Sequence, residues 1–196
     1  MDGMAFPGSD AVREDLLRRW SAPHRRYHDL RHLEEVLAAL PDDAPRAVLL
    51  AAWYHDAVYD PARDDNEAAS ARLAREQLAG ESELAEVERL VLLTRAHDPA
   101  EEDVSGAMLS DADLAVLGAS PERYAEYTSD VRHEYAHVSD GDFRHGRTRV
   151  LAGLLALTPL YRTERGRERW EEAARTNLSR ELAALVDPSA GAAPPG

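Results

Sequence analysis

The sequence contains no cysteine. Disulfide frameworks, thiolate zinc sites and cysteine nucleophiles are excluded with it, so any metal ion must be held by His, Asp or Glu. Lysine and isoleucine are missing as well, and all 23 basic residues are arginine. With alanine abundant, that pattern reads as a GC-rich coding bias. Positive charge is scarce overall: 37 acidic residues against 23 basic ones give a net charge of −14. That sign argues against a broad nucleic-acid surface while leaving room for a local arginine pocket. Long hydrophobic runs are lacking too, since the longest, Ala47 to Tyr54, falls far short of the roughly 18 residues a membrane span needs. The opening residues, MDGMAFPGSD, have neither a basic segment nor an apolar stretch of secretory length. The expectation is a cytoplasmic protein with no membrane partner.

What is present suits a globular chain. A length of 196 residues, 44% hydrophobic and 31% charged, allows one domain of ordinary size. Periodicity is helical almost throughout and no stretch alternates like a strand, so an all-α fold is expected. Helices are expected over Asp10 to Trp20, Tyr27 to Leu40 (stopped by Pro41), Pro45 to about Tyr59 (stopped by Pro61) and Asn66 to Leu78 with Gly80 behind it. Ser82 reads as the N-cap of a helix carrying Leu84, Val87, Leu90 and Val91. After a loop over 97–104, helices follow over Ser105 to Leu117, from Pro121, over Asp142 to Leu157 and over Arg165 to Leu185. One domain is expected over 1–187, with a frayed Pro/Gly/Ala-rich tail over 188–196.

The histidines are unevenly placed. His24, His28 and His32 fall at successive four-residue steps, and within the second expected helix His28 and His32 share a face. On that spacing alone, a solvated or capping pair explains them. The third expected helix adds weight, because His55 and Asp56 follow eight apolar residues in the most apolar helix of the chain. An ionised Asp is almost never fully buried without a partner or a metal. Its plain alternative is a carboxylate emerging at the helix end to cap or to pair with an arginine. Asp111 and Asp113 then punctuate an apolar helix, and residues two apart cannot both point into one site. Histidines and carboxylates on three separate helices suit an N/O site for a divalent cation such as Mn, Fe, Co, Ni, Zn or Mg.

The order His32, then His55-Asp56, then a distant Asp resembles the HD-domain superfamily of metal-dependent phosphohydrolases. The strings YHDLRH, AAWYHDAVYDP, DNEAASARLA, LSDADLAVLG and VRHEY, in this order, are similar to those of one bacterial branch of predicted HD phosphohydrolases. The resemblance implies a helical bundle with additional C-terminal helices. It implies His32, His55, Asp56 and Asp113 as metal ligands, with Asp111 as the alternative to Asp113. It implies hydrolysis of a small phosphorylated molecule, a nucleotide among the candidates, by metal-activated water. Asp56 would orient that water or bridge ions.

Glu67 is a candidate acid for the leaving oxygen, or else a helix-N-terminal carboxylate complementing the dipole. His97 is a further ligand or phosphate contact, or a helix-end histidine on the C-terminal dipole. His28 suits the surroundings of the ligands, and Arg132 and Arg147 offer guanidinium contacts for phosphate. Tyr124, Tyr127, Val131 and Tyr135 line one helix face, which packing explains more economically than base stacking. Two other functions stay open. One is a non-catalytic metal-binding or regulatory module; the other is a dinuclear iron oxygenase of HD type, which the scarcity of histidines between Asp56 and Asp113 disfavours. The acidic helical surface permits a homodimer.

Overall fold

The computed structural model describes residues 4–186. Among them lie nine α-helices, one 3-10 turn and no strand, so the chain is all-α as its periodicity predicts. The tail expected over 188–196 falls outside the described residues. The helices form two compact units, divided along the chain between Ala115 and Val116, a boundary that no linker or composition shift marks.

The first unit holds α1 (Asp10–Trp20), α2 (Leu30–Ala39), α3 (Arg46–Tyr54), α4 (Asn66–Gln77), α5 (Leu84–Leu93) and α6 (Val104–Asp113). Helix α3 is its centre. Ala47, Val48, Leu50, Ala51, Ala52, Trp53 and Tyr54 are all buried, and α2, α4, α5 and α6 each pack against it. A helix apolar on nearly every side has no solvated face to offer, which is why it takes the inside position. Gly80 closes the α4 end with a φ of 91°, a conformation glycine adopts without steric cost.

Several boundaries differ from the sequence reading. Helix α2 starts at Leu30 rather than Tyr27, because Asp29 turns extended and its carboxylate accepts from the Arg31 and His32 amides at 2.9 and 3.3 Å. His28 therefore lies before the helix, and the shared helical face expected for His28 and His32 does not form. Helix α3 stops at Tyr54 instead of running to Tyr59. The backbone groups beyond it bond to side chains: Arg25 donates to the Asp56 and Ala57 carbonyls, Ser70 Oγ accepts from the Val58 amide and Asn66 Oδ1 from the Asp60 amide. Ser82 does not cap α5; its hydroxyl donates to the Glu83 carboxylate, and the helix begins at Leu84. Helix α6 ends at Asp113, and the chain tightens into the 3-10 turn Leu114–Gly118 rather than continuing to Leu117.

The second unit contains α7 (Pro121–Glu134), α8 (Asp140–Ala156) and α9 (Glu164–Val186), with α8 packed along α9. Ser120 caps α7 with Pro121 at its first position, as read from the sequence. Tyr124, Tyr127 and Val131 are buried, so packing accounts for their spacing. The two tyrosine hydroxyls join a polar network in which Tyr124 donates to Glu181 and Arg147 donates to both Tyr127 and Glu181.

Candidate metal centre

Three chain segments of the first unit converge. His32 occupies the first turn of α2, directly behind the Asp29 cap, and is buried against the Tyr27 ring at 4.7 Å and the Trp20 ring at 6.2 Å. His55 caps the end of α3, its amide still bonded to the Ala51 carbonyl. Its Nδ1–H donates to the Ala52 carbonyl at 2.7 Å, which leaves the Nε2 lone pair facing inward. Trp20 lies over this imidazole at 5.3 Å and is itself fixed by donation from its Nε1 to the Trp53 carbonyl. Asp56 follows in the turn, and Asp113 arrives as the last residue of α6.

The functional atoms stand close together. His32 Nε2 and His55 Nε2 are 3.1 Å apart. Asp56 Oδ2 lies 3.4 Å from His55 Nε2 and 4.0 Å from His32 Nε2. Asp113 Oδ1 lies 3.1 and 3.6 Å from the same two nitrogens. Ligand atoms about 2.0–2.2 Å from one ion stand roughly 3–3.5 Å apart when adjacent around it, a range that the His32–His55, Asp56–His55 and Asp113–His32 separations meet and the 3.6 and 4.0 Å separations exceed; Asp113 lies beside the imidazoles but outside the three-residue group that follows. Among the described residues, His32, His55 and Asp56 form a group whose ligand atoms all lie within 4.8 Å of one another, and this cluster can hold a metal ion. Imidazole and carboxylate donors suit borderline and hard divalent cations.

Burial shapes the protonation of the cluster. It pushes His32 below the ordinary imidazole value against the pull of Asp113, and pushes His97 down in the same way. Burial would raise the Asp113 carboxyl, but charge on His55, the His32 hydrogen bond and charge on His97 together hold it well below the usual carboxylate range. At neutral pH His32 is thus uncharged, and its contact with Asp113 is a hydrogen bond to a carboxylate rather than an ion pair.

The other sequence-derived residues fall into two groups. His28 Nε2 lies 3.9 Å from Asp56 Oδ2, with its ring stacked on Tyr59 at 4.1 Å. His97 Nε2 lies 3.7 Å from Asp113 Oδ2, and its Nδ1 is 3.4 Å from the hydroxyl of buried Ser110. Glu67, in the first turn of α4, is near enough for its charge to act on His97. Asp111 is buried on α6. Arg132 and Arg147 belong to the second unit and are engaged there. Arg132 donates to the Tyr135 and Val138 carbonyls and to Asp140, and Arg147 grips Glu181 through two nitrogens.

Sequence reasoning passed over Arg25, Asn66 and Ser70, which hold the backbone around the His-Asp turn. For two of them the signal lay in a quoted string: Asn66 and Ser70 stand four apart in DNEAASA and face the same segment of chain. Comparison with family models, with curated proteins and with solved structures gives no match.

Proposed function

We propose that this chain is a metal-dependent phosphohydrolase of the HD-domain type, with His32, His55, Asp56 and Asp113 holding a divalent cation. The observation that carries the reading is the meeting of two imidazole Nε2 atoms at 3.1 Å, flanked by two carboxylates, in the interior of the first unit. A bound divalent cation supplies Lewis-acid activation of water and neutralises charge on a phosphoryl oxygen. The chain supplies the rest. Asp56, less buried than the two imidazoles, has an oxygen on the cluster and a position from which to accept a proton from attacking water. His28 Nε2 and His97 Nε2 border the centre on opposite carboxylates and offer N–H donors to phosphoryl oxygens. Glu67 is the candidate donor to the leaving oxygen. The substrate class is a small phosphoester or phosphoanhydride, with nucleotides as the first to test; that choice rests on the resemblance of the strings.

One observation supports a second reading. His32 and His55 are almost fully buried, a placement that also suits a non-catalytic module stapled by its metal. Elemental analysis of protein purified without chelator or histidine tag separates the cases, with Asp56→Ala alongside. The phosphohydrolase reading expects about one equivalent of transition metal in the wild type and its loss in the variant, as for a single four-ligand site. It also expects phosphate release from a nucleotide and phosphomonoester panel with that metal, abolished in Asp56→Ala. Metal whose removal collapses the melting temperature, with no phosphate released from any substrate, would establish the staple instead. Two equivalents of iron would point to oxygen chemistry.

A further inference from the structure

Arg25 is a buried cation that the proposed chemistry does not use. Its side chain lies in the interior of the first unit, where the guanidinium packs over the Trp20 ring at 5.1 Å and the Tyr59 ring at 5.6 Å. It donates from Nη1 to the His28 carbonyl at 2.6 Å, and from Nη2 to the Asp56 carbonyl at 2.8 Å and the Ala57 carbonyl at 3.2 Å. One planar fork therefore joins two backbone segments 28 residues apart in sequence, each bearing a side chain of the centre. Both rings it packs on also touch centre histidines: Trp20 lies over His55, and Tyr59 is stacked on His28. A cation at the carboxyl end of α3 is also favourable to the helix dipole, but that role would need only one carbonyl contact.

We infer that Arg25 is a positioning residue of the metal centre: by bridging the His28 and Asp56 carbonyls it sets how the His28 imidazole and the Asp56 carboxylate face the cluster. The inference rests on the metal-centre reading above. The mechanism is geometric. The backbone of Asp56 lies outside any helix, so its carbonyl has no helical partner to orient it, and the side chain inherits whatever orientation the Arg25 contact imposes. Lysine keeps the charge but cannot span both carbonyls, because its single ammonium lacks the rigid fork.

The test uses the full chain as wild type, Arg25→Lys and Arg25→Ala. Circular dichroism and melting temperature establish that each is folded. Co(II) binding is then read by its visible absorption, and the His28 and His55 ring signals are read by side-chain NMR without metal. The expected result is a folded Arg25→Lys whose Co(II) affinity is roughly 10- to 100-fold weaker, the usual cost of losing a residue that orients ligands. His28 and His55 signals should be displaced, and added methylguanidinium should restore part of the affinity of Arg25→Ala. A purely structural role would lower the melting temperature without moving affinity or ring signals. A folded Arg25→Lys with wild-type affinity and unchanged signals overturns the inference. Absence of Co(II) binding in the wild type would sink the metal reading instead; the ring signals then decide alone, displaced in favour of Arg25 as positioner and unchanged against it. If Arg25→Ala does not fold, Arg25→Lys carries the test.

Discussion

His32 and His55 face each other through their Nε2 atoms at 3.1 Å, and only one of the two nitrogens carries a hydrogen. The proton of His55 sits on Nδ1, where the Ala52 carbonyl takes it. The His32 Nε2–H therefore has two acceptors at the same distance, His55 Nε2 and Asp113 Oδ1. Protonating both rings would place two cations at that separation inside the unit. The arrangement suits neutral rings or a cation between them.

Burial sets the sign of the pH dependence. His32 and His97 are held below the ordinary imidazole value of 6.5, so the unfolded chain binds their protons more readily than the folded one. Where the unfolded state binds more protons, stability falls with falling pH. The histidine contribution should be complete above 6.5 and decline below it; the Asp113 contribution, also from a lowered value, is lost only below its unfolded 3.8. Urea midpoints of metal-free protein should hold above pH 6.5 and drop on acidification, and His32→Gln should flatten the first part of that drop. Midpoints that rise on acidification would contradict the assignment.

How legible was this in the sequence? Helix α1 runs over the expected residues, Asp10–Trp20, because its signals are local: a Ser9 cap, an apolar stripe and arginines in the last turn. The end of α3 was not readable, since what terminates it are side chains distant in sequence, Arg25 from before and Asn66 and Ser70 from after. The same holds for the site. His32, His55 and Asp56 were singled out by residue type and order, and the structure brings them together. His28 reached their neighbourhood by a turn rather than by the helical step its spacing suggested. No periodicity encodes a contact between a turn and a distant helix.

Ser70 offers a direct measure of those long-range ties. It is fully buried, accepts from the Val58 amide at 3.0 Å and donates to the Val58 carbonyl at 3.2 Å. Ser70→Ala leaves both backbone groups unpaired, at a cost of about 1–3 kcal/mol. Urea denaturation should show that loss, accompanied by weaker metal binding because Val58 lies two residues beyond Asp56. A change within a few tenths of a kcal/mol would mean the segment is held by other contacts.

His97 combines a place beside Asp113 with a left-handed backbone, φ 50°. A non-glycine residue there carries steric cost from its Cβ, about 1–2 kcal/mol. His97→Gly should therefore be more stable than His97→Ala by about 1 kcal/mol in urea. If the imidazole serves the centre, both should lose the same share of phosphohydrolase activity despite that difference. Equal stability would show that the backbone relaxes once the ring is gone.

Gly118 is the position at which a single methyl should do most damage in the second unit. A Cβ there would meet the Trp170 Cα and carbonyl oxygen at 2.8 Å and its Cβ at 2.6 Å. Two of those atoms are backbone in the middle of α9, so a side-chain rotation cannot relieve the clash. Asn177 fixes the same approach by donating to the Leu117 and Ala119 carbonyls on either side. Gly118→Ala is expected to cost about 1–3 kcal/mol through forced separation of packed backbone. Gly146→Ala is the opposite case, because this exposed glycine sits within α8 and a Cβ meets nothing within 4 Å. It should gain about 0.5–1 kcal/mol from reduced backbone entropy in the unfolded chain. Thermal denaturation of the two variants should move in opposite directions, and a neutral Gly118→Ala would show that the 3-10 turn shifts away from α9 at little cost.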